Sequence, residues 1–589
     1  MKVSGFILFL LLLCGSVTGC NQDTGRDTQK PNIILILTDD QGWGDVAHNG
    51  NEGIDTPMMD LLAREGARFD RFYVSPVCAP TRASLLTGRD HLRTGVQWVT
   101  YGLENMRAEE VTLAEVLKKD SYQTGLFGKW HNGSHFPMDP EGQGFDTFFG
   151  FKTGHWNNYF DTALTCNGSP VNTEGYITDV LTDSALTFIE RNRNQPFFAF
   201  IPYNAPHSPF QVPDKYFFKY KNRGLDDKNA SVYGMVENID DNIGRILNKL
   251  EELHLNEHTI VLFLTDNGPN GGDRFNGNMK GWKAKVDEGG VRVPLLIRWP
   301  GNIEPGSVVD ALTAHIDILP TLAELTGVPL EDSLHLDGRS FASLLLGKEQ
   351  DWPNRYLFTH QSRWDSLEQH PSSVRDNRYR AVNYGGQWEL YDMLADPAQQ
   401  RDIATKAPEI LSTFSTAYEE WFQEVSQGLD KPRFIPLGYE EAPEVHIPAP
   451  ELSFSGNIQF KGTSGWSNDW LVNWTSEEDE VMVPVQVVSD GVYEVTFEYN
   501  LSPSDAGVEV TISSSSASLN TTVTQPFVGQ RISSPDRVPR GEVYEKTWAM
   551  HQAGALYLNR GEQELNIRAY RIPGKESMEL KSVILRKKS

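Results

Sequence analysis

The sequence predicts an α/β protein: a large central sheet of mostly parallel strands flanked by helices, then a small antiparallel α+β subdomain and a C-terminal β-sandwich. Three observations support this. Residues 31–40 and 258–268 are unbroken apolar runs that end in polar residues, which is typical of strands buried on both faces. Apolar residues at helical spacing lie between such runs. Beyond residue 480, short segments alternate apolar and polar residues, as sandwich strands do.

The length and charge of the chain narrow the classes of function. A chain of 589 residues is too long for one ordinary domain, so two or more domains are expected. The formal net charge of −26 argues against nucleic acid as a partner, because nucleic-acid binding needs a basic face. If the substrate is an anion, positive charge concentrated in a pocket has to overcome the negative field of the whole protein.

The first 30 residues are predicted to lie outside the fold. Lys2 and the short apolar run 6–13 precede Val17-Thr-Gly-Cys20, which resembles a bacterial lipobox. We therefore predict a lipoprotein signal peptide over 1–20, a lipidated Cys20 and a polar tether over 21–30. The expected location is the periplasm, the outer membrane or the cell surface of a bacterium, anchored to the membrane by lipid. An ordinary secretory signal is the alternative.

The cysteine count leaves one residue that needs explaining. The chain has four cysteines, of which Cys14 leaves with the signal peptide and Cys20 carries the lipid. Cys78 and Cys166 remain. They could pair, but two cysteines do not make a disulfide framework. A free cysteine in an exported protein suggests a specific chemical use.

Domain boundaries follow from composition. The predicted units are an α/β catalytic domain over 31–350, an α+β subdomain over 351–435, a proline- and acid-rich linker over 436–450 and a sandwich over 451–589. Predicted helices cover 112–119, 184–191, 236–250, 315–322 and 408–424. Further strands are predicted at 122–131, 195–201, 295–299, 356–360, 379–383, 481–488, 492–499, 508–512, 555–558 and 564–570.

Cys78 is predicted to lie just before a short helix. Pro80 suits a first helical turn and Gly88 suits its end. A side chain at this position faces the positive end of the helix dipole, and Arg82 adds a fixed charge one turn later. The environment is typical of a nucleophile that attacks an anion.

Polar residues at the ends of the buried strands are candidate ligands. Asp39 and Asp40 end one run, and Asp266 and Asn267 end another, so in a parallel sheet they meet at the carboxyl edge. Taken alone, the two acids also suit a loop or a helix cap. Four oxygen ligands favour Ca²⁺ or Mg²⁺ over zinc.

Several of these segments together resemble type I sulfatases. The matching motifs are Cys78-Ala-Pro-Thr-Arg82 with Leu86-Thr-Gly-Arg89, Gly128-Lys-Trp-His-Asn-Gly133, Ala205-Pro-His207, Thr265-Asp-Asn-Gly268 and the Glu288-Gly-Gly-Val-Arg-Val-Pro294 block. They occur in the family's order and cover roughly residues 31 to 430. The resemblance implies an alkaline-phosphatase-like fold and hydrolysis of sulfate esters.

The resemblance also implies roles for single residues. A formylglycine-generating enzyme would oxidise Cys78 to formylglycine, which ligates the metal with Asp39, Asp40, Asp266 and Asn267; the family precedent favours Ca²⁺, and Mg²⁺ stays open. One hydroxyl of the aldehyde hydrate attacks sulfur, and the second loses its proton as sulfate leaves. The remaining residues hold sulfate oxygens or move protons: Arg82, Lys129, His131, His207 and Lys283. Lys280 and Lys285 are neighbouring alternatives to Lys283.

Alternatives and the substrate stay open. A phosphate or phosphonate ester hydrolase could use the same cradle, and a lipid-anchored glycan-binding protein with a dead catalytic fold is the second rival. The sandwich resembles carbohydrate-binding jelly rolls, in which its tryptophans would stack on sugars, although core packing is favoured. A sulfated polysaccharide or glycosaminoglycan fragment is the expected substrate. Residues considered for these sugar contacts are Trp466, Trp470, Trp474, 155–158, Arg363 and Arg375.

Overall fold

The computed structural model describes residues 30–348, 351–362, 366–462, 464–466 and 468–588. The predicted signal peptide with Cys20, almost all of the tether, and Arg363 lie outside these residues. Within the described part of the chain, no helix is both long enough and apolar enough to cross a membrane.

The catalytic domain alternates strands and helices. Its strands are β1 Asn32–Thr38, β2 Ala67–Phe69, β3 Phe72–Tyr73, β4 Gln123–Lys129, β5 Thr147–Phe151, β6 Ala163–Cys166, β7 Ser169–Asn172, β8 Phe197–Pro202, β9 Thr259–Thr265, β10 Leu295–Arg298, β11 Ser307–Val309 and β12 Thr313–Ala314. Its helices are α1 Pro57–Glu65, α2 Cys78–Thr87, α3 Leu113–Lys119, α4 Ile177–Arg191, α5 Asp214–Lys221, α6 Asp227–Glu252, α7 Glu288–Val291, α8 Ile318–Thr326 and α9 Ala342–Leu345.

A large mixed sheet forms the centre of this domain, as predicted. Within the described residues its order is β11-β2-β10-β9-β1-β8-β4-β5-β6-β7. The central strands β9, β1, β8, β4 and β5 pair in parallel, whereas β10, β6 and β7 pair antiparallel towards the edges. Strand β1 lies between β8 and β9, which brings the ends of three buried strands together at one edge.

Strand β1 shows why the apolar runs have no alternation. Ile34 and Ile36 belong to one hydrophobic cluster, whereas Ile33, Leu35 and Leu37 belong to the cluster on the opposite face of the sheet. Successive side chains of a strand point to opposite faces, so a sheet covered by helices on both sides needs apolar residues at every position.

The predicted strand 122–131 is shorter in the structure. Strand β4 ends at Lys129, and His131 has a left-handed backbone conformation with φ 67°. The prediction that Lys129 and His131 share one face of a strand is therefore wrong. The chain turns after Lys129, and the two side chains reach the same site from different backbone conformations.

The antiparallel subdomain follows. Strands β13 Leu357–His360, β14 Ser372–Arg375, β15 Tyr379–Tyr384 and β16 Gln387–Asp392 form a sheet in that order, and helix α10 Pro408–Val425 packs on it. The sheet is tied to the catalytic domain by Glu288, whose carboxylate lies 2.5 Å from Arg375 and 3.0 Å from Arg380. This arrangement confirms the small antiparallel α+β unit.

The C-terminal sandwich contains two sheets. Its strands are β17 Ile435–Leu437, β18 Glu444–Pro448, β19 Ser453–Ser455, β20 Gln459–Phe460, β21 Leu471–Val472, β22 Glu480–Val487, β23 Gly491–Asn500, β24 Val508–Ser513, β25 Ser518–Val523, β26 Ala549–Leu558, β27 Gly561–Arg571 and β28 Glu579–Lys587. In the described residues one sheet has the order β17-β22-β27-β24-β25 and the other β20-β21-β28-β23-β26, with β19 and β18 pairing at β22 and β28.

The predicted linker 436–450 is already part of this sandwich. Strand β17 pairs with β22, and β18 pairs with β28. Within β18, Val445 and Ile447 are buried in the sandwich core, whereas Glu444 and His446 point outwards. Pairing with existing strands outweighs the proline and acid content that suggested a linker.

One long segment leaves the sandwich and crosses onto the catalytic domain. We call residues 524–548, between β25 and β26, the sandwich arm. The backbone N–H of Arg537 donates to Phe210 O at 3.0 Å. Gln211 Nε2 donates to Ser534 Oγ at 2.8 Å and to Asp536 Oδ1 at 2.7 Å. The arm therefore docks on the loop that follows β8.

Candidate active site

The predicted site residues converge at the carboxyl ends of the central strands. Asp39 and Asp40 follow β1, Asp266 and Asn267 follow β9, and Lys129 ends β4. The backbone N–H of Asp40 donates to Asp266 Oδ1 at 3.1 Å, which links the ends of the two strands directly. Parallel strands thus deliver these side chains to one place, as the sequence predicts.

Three carboxylates and one amide lie together at this edge. Asp39, Asp40, Asp266 and Asn267 are all fully buried. Asp39 Oδ1, Asp40 Oδ2 and Asn267 Oδ1 have no hydrogen-bond partner among the described residues. Burial, together with the negative charge of Asp39, raises the pKa of Asp266 to about 7. Buried oxygens without partners are costly unless a cation or a proton satisfies them.

The donor set fits a hard divalent cation. The ligand atoms of Asp39, Cys78 and Asp266 lie within 4.8 Å of one another, and so do those of Asp39, Asp40 and His207. Carboxylate and amide oxygens are the ligands that Ca²⁺ and Mg²⁺ prefer. The residues that would hold the ion are Asp39, Asp40, Asp266 and Asn267, with position 78 beside them.

Cys78 is the first residue of helix α2, so the helix begins earlier than predicted, since the sequence places Cys78 just before it. The helix stops at Thr87 and is capped by Gly88, whose φ is 68° and whose N–H donates to Ser84 O, which confirms the predicted end. Burial raises the pKa of the Cys78 thiol, and the charges of Lys129 and Lys283 oppose this only in part. An unmodified thiol is therefore kept neutral here. Among the described residues, neither Cys78 nor Cys166 forms a disulfide.

Three cations surround position 78 and the carboxylates. Arg82 is completely buried, with Nη2 3.0 Å from Asp266 Oδ2. Lys129 is also buried, with Nζ 2.5 Å from Asp39 Oδ2. Burial raises the pKa of Asp39, but Lys129, His207 and Arg82 outweigh it and hold that pKa well below its usual range. Asp39 therefore stays ionised although it is buried.

The structure distinguishes Lys283 from its two neighbours. Lys283 Nζ lies 2.6 Å from Asp40 Oδ1. Burial disfavours its charged form, but Asp40 and the other nearby anions raise the pKa of Lys283 above its ordinary value. Lys280 instead contacts Glu389 and Tyr391, and Lys285 lies over the rings of Trp282 and Tyr384. Among the three candidates, the assignment to Lys283 therefore agrees with the geometry.

His131 presents one free ring nitrogen to the site. Its Nε2 lies 2.9 Å from Val99 O, so Nε2 carries the proton and Nδ1 is left as an acceptor. Nδ1 is buried without a partner among the described residues. Burial and the charge of Lys129 lower the pKa of His131 well below 6.5. Gly154 packs so closely on this ring that an added Cβ would lie 2.1 Å from Nε2.

His207 reaches the acids from the loop after β8. Its Nδ1 lies 2.6 Å from Ser208 O, which leaves Nε2 to face Asp40 Oδ2 at 3.7 Å. The side chain is only partly buried and lines an open cavity of about 370 Å³ together with Cys78, His131 and Lys283. His207 is therefore the imidazole that can meet a group entering from solvent.

Two cavity residues come from the sandwich. Trp466 and Glu542 line the same cavity as Cys78, together with His155 of the catalytic domain. Trp466 and His155 are sugar-contact candidates from the sequence, whereas no sequence pattern identifies Glu542. Glu542 lies in an irregular segment without a motif, so only the docking of the sandwich arm places it in the site.

Other residues considered for sugar contacts have structural positions. Trp474 is buried in the sandwich core, and Trp470 is buried with its ring 5.2 Å from that of Trp548. Arg375 is buried against Glu288. These three residues stabilise the fold and lie away from the cavity lining.

Two family models match this chain. Residues 31–328 match the family model described as Sulfatase. Residues 280–420 match the model for the C-terminal part of N-sulphoglucosamine sulphohydrolase. Neither match reaches the sandwich, which begins at Ile435.

Individual relatives point the same way. Human N-acetylgalactosamine-6-sulfatase is 34% identical over 365 residues, covering 56% of this chain and 68% of that protein. N-acetylgalactosamine-6-O-sulfatase of Bacteroides thetaiotaomicron is 28% identical over 521 residues, covering 71% of this chain and 99% of the relative. The crystal structure of Ps i-CgsB with k-i-k-neocarrahexaose superposes with a TM-score of 0.64 at 30% identity, covering 68% of this chain and 94% of that chain.

Proposed function

Because this chain belongs to the sulfatase family and is a sulfuric ester hydrolase for sulfated carbohydrates, we propose that it uses formylglycine made from Cys78 and a divalent cation, with Ca²⁺ the first candidate. The observation that carries the proposal is the set of unpartnered buried oxygens on Asp39, Asp40 and Asn267 beside position 78. Formylglycine, when formed, supplies the attacking hydroxyl, and the cation neutralises charge on the sulfate oxygens.

The fixed cations of the chain bind and orient the sulfate group. Arg82, Lys129 and Lys283 are held in place by Asp266, Asp39 and Asp40, respectively. They need no reorganisation when negative charge moves during the reaction. In a site shielded from water, such preorganised donors stabilise developing charge more strongly than mobile water does.

Two imidazoles divide the proton transfers. His207 holds one proton on Nδ1, which donates to Ser208 O, and in its imidazolium form it gives the Nε2 proton to the sugar oxygen as that oxygen leaves, with Lys283 nearby. Val99 O accepts from Nε2 of His131 and leaves Nδ1 as an acceptor without a partner in the described residues. His131 Nδ1 receives the proton released when free sulfate departs.

The substrate proposal is a single terminal sulfated sugar. Two relatives are named for N-acetylgalactosamine 6-sulfate ester cleavage, so this monosaccharide is the first compound to test. The cavity is about 370 Å³ and closed on one side by the sandwich, which suits one sugar ring better than a long groove. A net charge of −26 also disfavours an extended polyanion on the surface.

The cellular setting is also a proposal. The lipobox-like Val17-Thr-Gly-Cys20 supports export and lipid anchoring at Cys20, in the periplasm or at the outer membrane or cell surface of a bacterium. A formylglycine-generating enzyme is the partner that must act on Cys78 before the enzyme is active.

Mass spectrometry and sulfate release test the proposal together. The peptide that contains position 78 should carry an aldehyde in an active, matured sample. Cys78→Ala and Cys78→Ser should lose sulfate release from N-acetylgalactosamine 6-sulfate and from an aryl sulfate. An intact thiol in a fully active sample would contradict the proposal. Faster turnover of the matching phosphate ester would identify the enzyme as a phosphate ester hydrolase instead.

A further inference from the structure

We propose that Glu542 and His155 form, beside the sulfate site, a subsite that binds neutral sugar hydroxyls and excludes a second anionic substituent, with Trp466 as the stacking surface. The inference rests on the proposed function for the position of the sulfate group. It goes further in assigning selectivity to the sandwich, which lies outside both matched family models.

The sandwich arm is fixed firmly enough to act as a cavity wall. Arg540 is almost fully buried, and it contacts Asp536 Oδ1 at 2.6 Å and Asn157 Oδ1 at 2.5 Å. Arg537 donates to Val212 O at 3.1 Å and lies 4.5 Å from the ring centre of Phe217. These contacts hold the arm against the catalytic domain just before Glu542.

Glu542 is positioned by the loop that carries His207. Ser208 Oγ donates to Glu542 Oε1 at 2.5 Å. The same oxygen lies 3.8 Å from His155 Nδ1, and the Glu542 side chain is only 9% exposed. Burial raises the pKa of Glu542, but the charge of His207 and the bond from Ser208 lower it below its usual value overall. The cavity wall therefore carries a fixed negative charge.

His155 lacks partners although it is buried. The residue is 5% exposed, and neither ring nitrogen has a hydrogen-bond partner among the described residues. Burial lowers the pKa of His155 to about 3, so the ring is neutral and offers one donor and one acceptor. A buried polar ring in a cavity wall is satisfied when a ligand supplies both an acceptor and a donor. A sugar hydroxyl supplies both.

Trp466 supplies an apolar face next to these polar groups. It is 40% exposed and lines the cavity with Glu542. Sugar rings expose C–H groups on one face, and aromatic side chains commonly cover such faces. Its neighbours Ser464 and Gly465 are fixed by Tyr101 and Thr100, whose hydroxyls donate to their carbonyl oxygens at 2.8 Å.

The charges on the two sides of the cavity are opposite. Arg82, Lys129 and Lys283 lie with position 78, where they attract one sulfate group. On the other wall Glu542 is an anion without a lysine or arginine among its close contacts in the described residues. A second sulfate placed there would be repelled in a partly dehydrated space, whereas a hydroxyl would donate to the carboxylate.

A charge-removal variant tests this selectivity. Glu542→Gln keeps the size and the acceptor for Ser208 but removes the charge. We expect the ratio of kcat/KM for N-acetylgalactosamine 6-sulfate over the 4,6-disulfate to fall at least about tenfold in this variant. Glu562→Gln, which removes the same charge from an exposed position on β27, is the matched control and should keep the wild-type ratio. Trp466→Ala should raise KM for both sugars.

A binding measurement separates this inference from the proposed function. Calorimetric titration of Cys78→Ala protein with the same two sugars reports affinity without turnover. In the background of this variant, Glu542→Gln should strengthen binding of the disulfate at least about tenfold relative to the monosulfate. An unchanged preference, in binding or in turnover, would overturn the subsite. Absence of sulfate release from every compound, with the binding preference shifted as expected, would overturn only the proposed function.

Discussion

Lys283 Nζ lies 2.6 Å from Asp40 Oδ1, whereas Lys280 contacts Glu389 and Tyr391 on the side of the antiparallel subdomain. The contact joins a loop near the end of the catalytic domain to the end of its first strand. Of the three lysines in this short stretch, Lys283 reaches the site, and Lys280 and Lys285 contact other residues. Substitution of Lys283 should therefore lower turnover, whereas substitution of Lys280 should not.

Lys283→Ala should lower kcat/KM for sulfate esters by about 100- to 1,000-fold, because a preorganised charge next to the reacting group is removed. Lys280→Ala, the matched control, should stay within about threefold of wild type, since its partners lie outside the cavity. Steady-state kinetics on an aryl sulfate measures both variants. Equal losses in the two variants would show that the assignment of Lys283 as the catalytic lysine is wrong.

Calcium should stabilise the enzyme through the carboxylate cluster. We expect the Tm of chelator-treated protein to rise by several degrees on addition of Ca²⁺, since the ion binds the folded state. Asp266→Asn should lose most of this rise, because one of three buried carboxylates is neutralised. Differential scanning calorimetry with Ca²⁺ and Mg²⁺ in parallel tells which ion is preferred. A Tm insensitive to both ions would contradict the site.

Arg375 should matter for stability and not for substrate choice. The Glu288 carboxylate is buried with Arg375 and Arg380 and accepts a hydrogen bond from Tyr73 at 2.8 Å. Removing Arg375 takes away the shortest ion pair of this buried carboxylate but leaves Arg380 beside it. We therefore expect a loss below the roughly 3–5 kcal/mol that a fully unpaired buried charge costs. Urea unfolding of Arg375→Ala measures this loss. A change in preference between sulfated sugars at unaltered stability would instead return Arg375 to the substrate site.

The contribution of His91 and His315 to the free energy of unfolding should be lost as the pH drops below 6.5. Burial lowers the pKa of His91 to about 4 and that of His315 to about 3. A depressed pKa in the folded state gives stability that is present above the unfolded value and is lost as the pH falls towards the folded value. Each additional proton taken up on unfolding costs about 1.4 kcal/mol per pH unit.

Urea midpoints between pH 7.0 and 5.5 measure this slope. His315→Gln should reduce the slope of the free energy of unfolding against pH by the contribution of one histidine, because glutamine does not titrate. His258→Gln is a suitable control, since His258 is exposed just before β9. If the stability of wild type and of His315→Gln depends on pH in the same way, the His315 imidazole does not cause the pH dependence.

The meeting point of the candidate metal ligands could be predicted because their position follows from local pattern. Asp39, Asp40, Asp266 and Asn267 directly follow apolar runs whose lack of alternation already indicates buried parallel strands. The geometry of His131 could not be predicted in the same way. His131 has a left-handed backbone conformation, but no glycine in the sequence marks this turn. The predicted strand therefore runs two residues past Lys129, where the strand ends in the structure.

The interval 436–450 shows how tertiary pairing overrides composition. Its alternating Val445 and Ile447 were a signal for a strand, but prolines and acids around them suggested a linker. Glu542 had no local signal at all. Its place in the cavity depends on contacts between the sandwich arm and residues such as Gln211, far away in the chain, and no periodicity reports those contacts.

The wall that the sandwich arm adds has a consequence for how such enzymes diversify. The residues proposed to cleave the ester all lie before position 300, whereas the cavity rim also contains Trp466 and Glu542 of the sandwich. Substitutions in the sandwich could then change which glycans fit while the proposed cleavage residues stay the same. Specificity and cleavage would evolve in different parts of the chain.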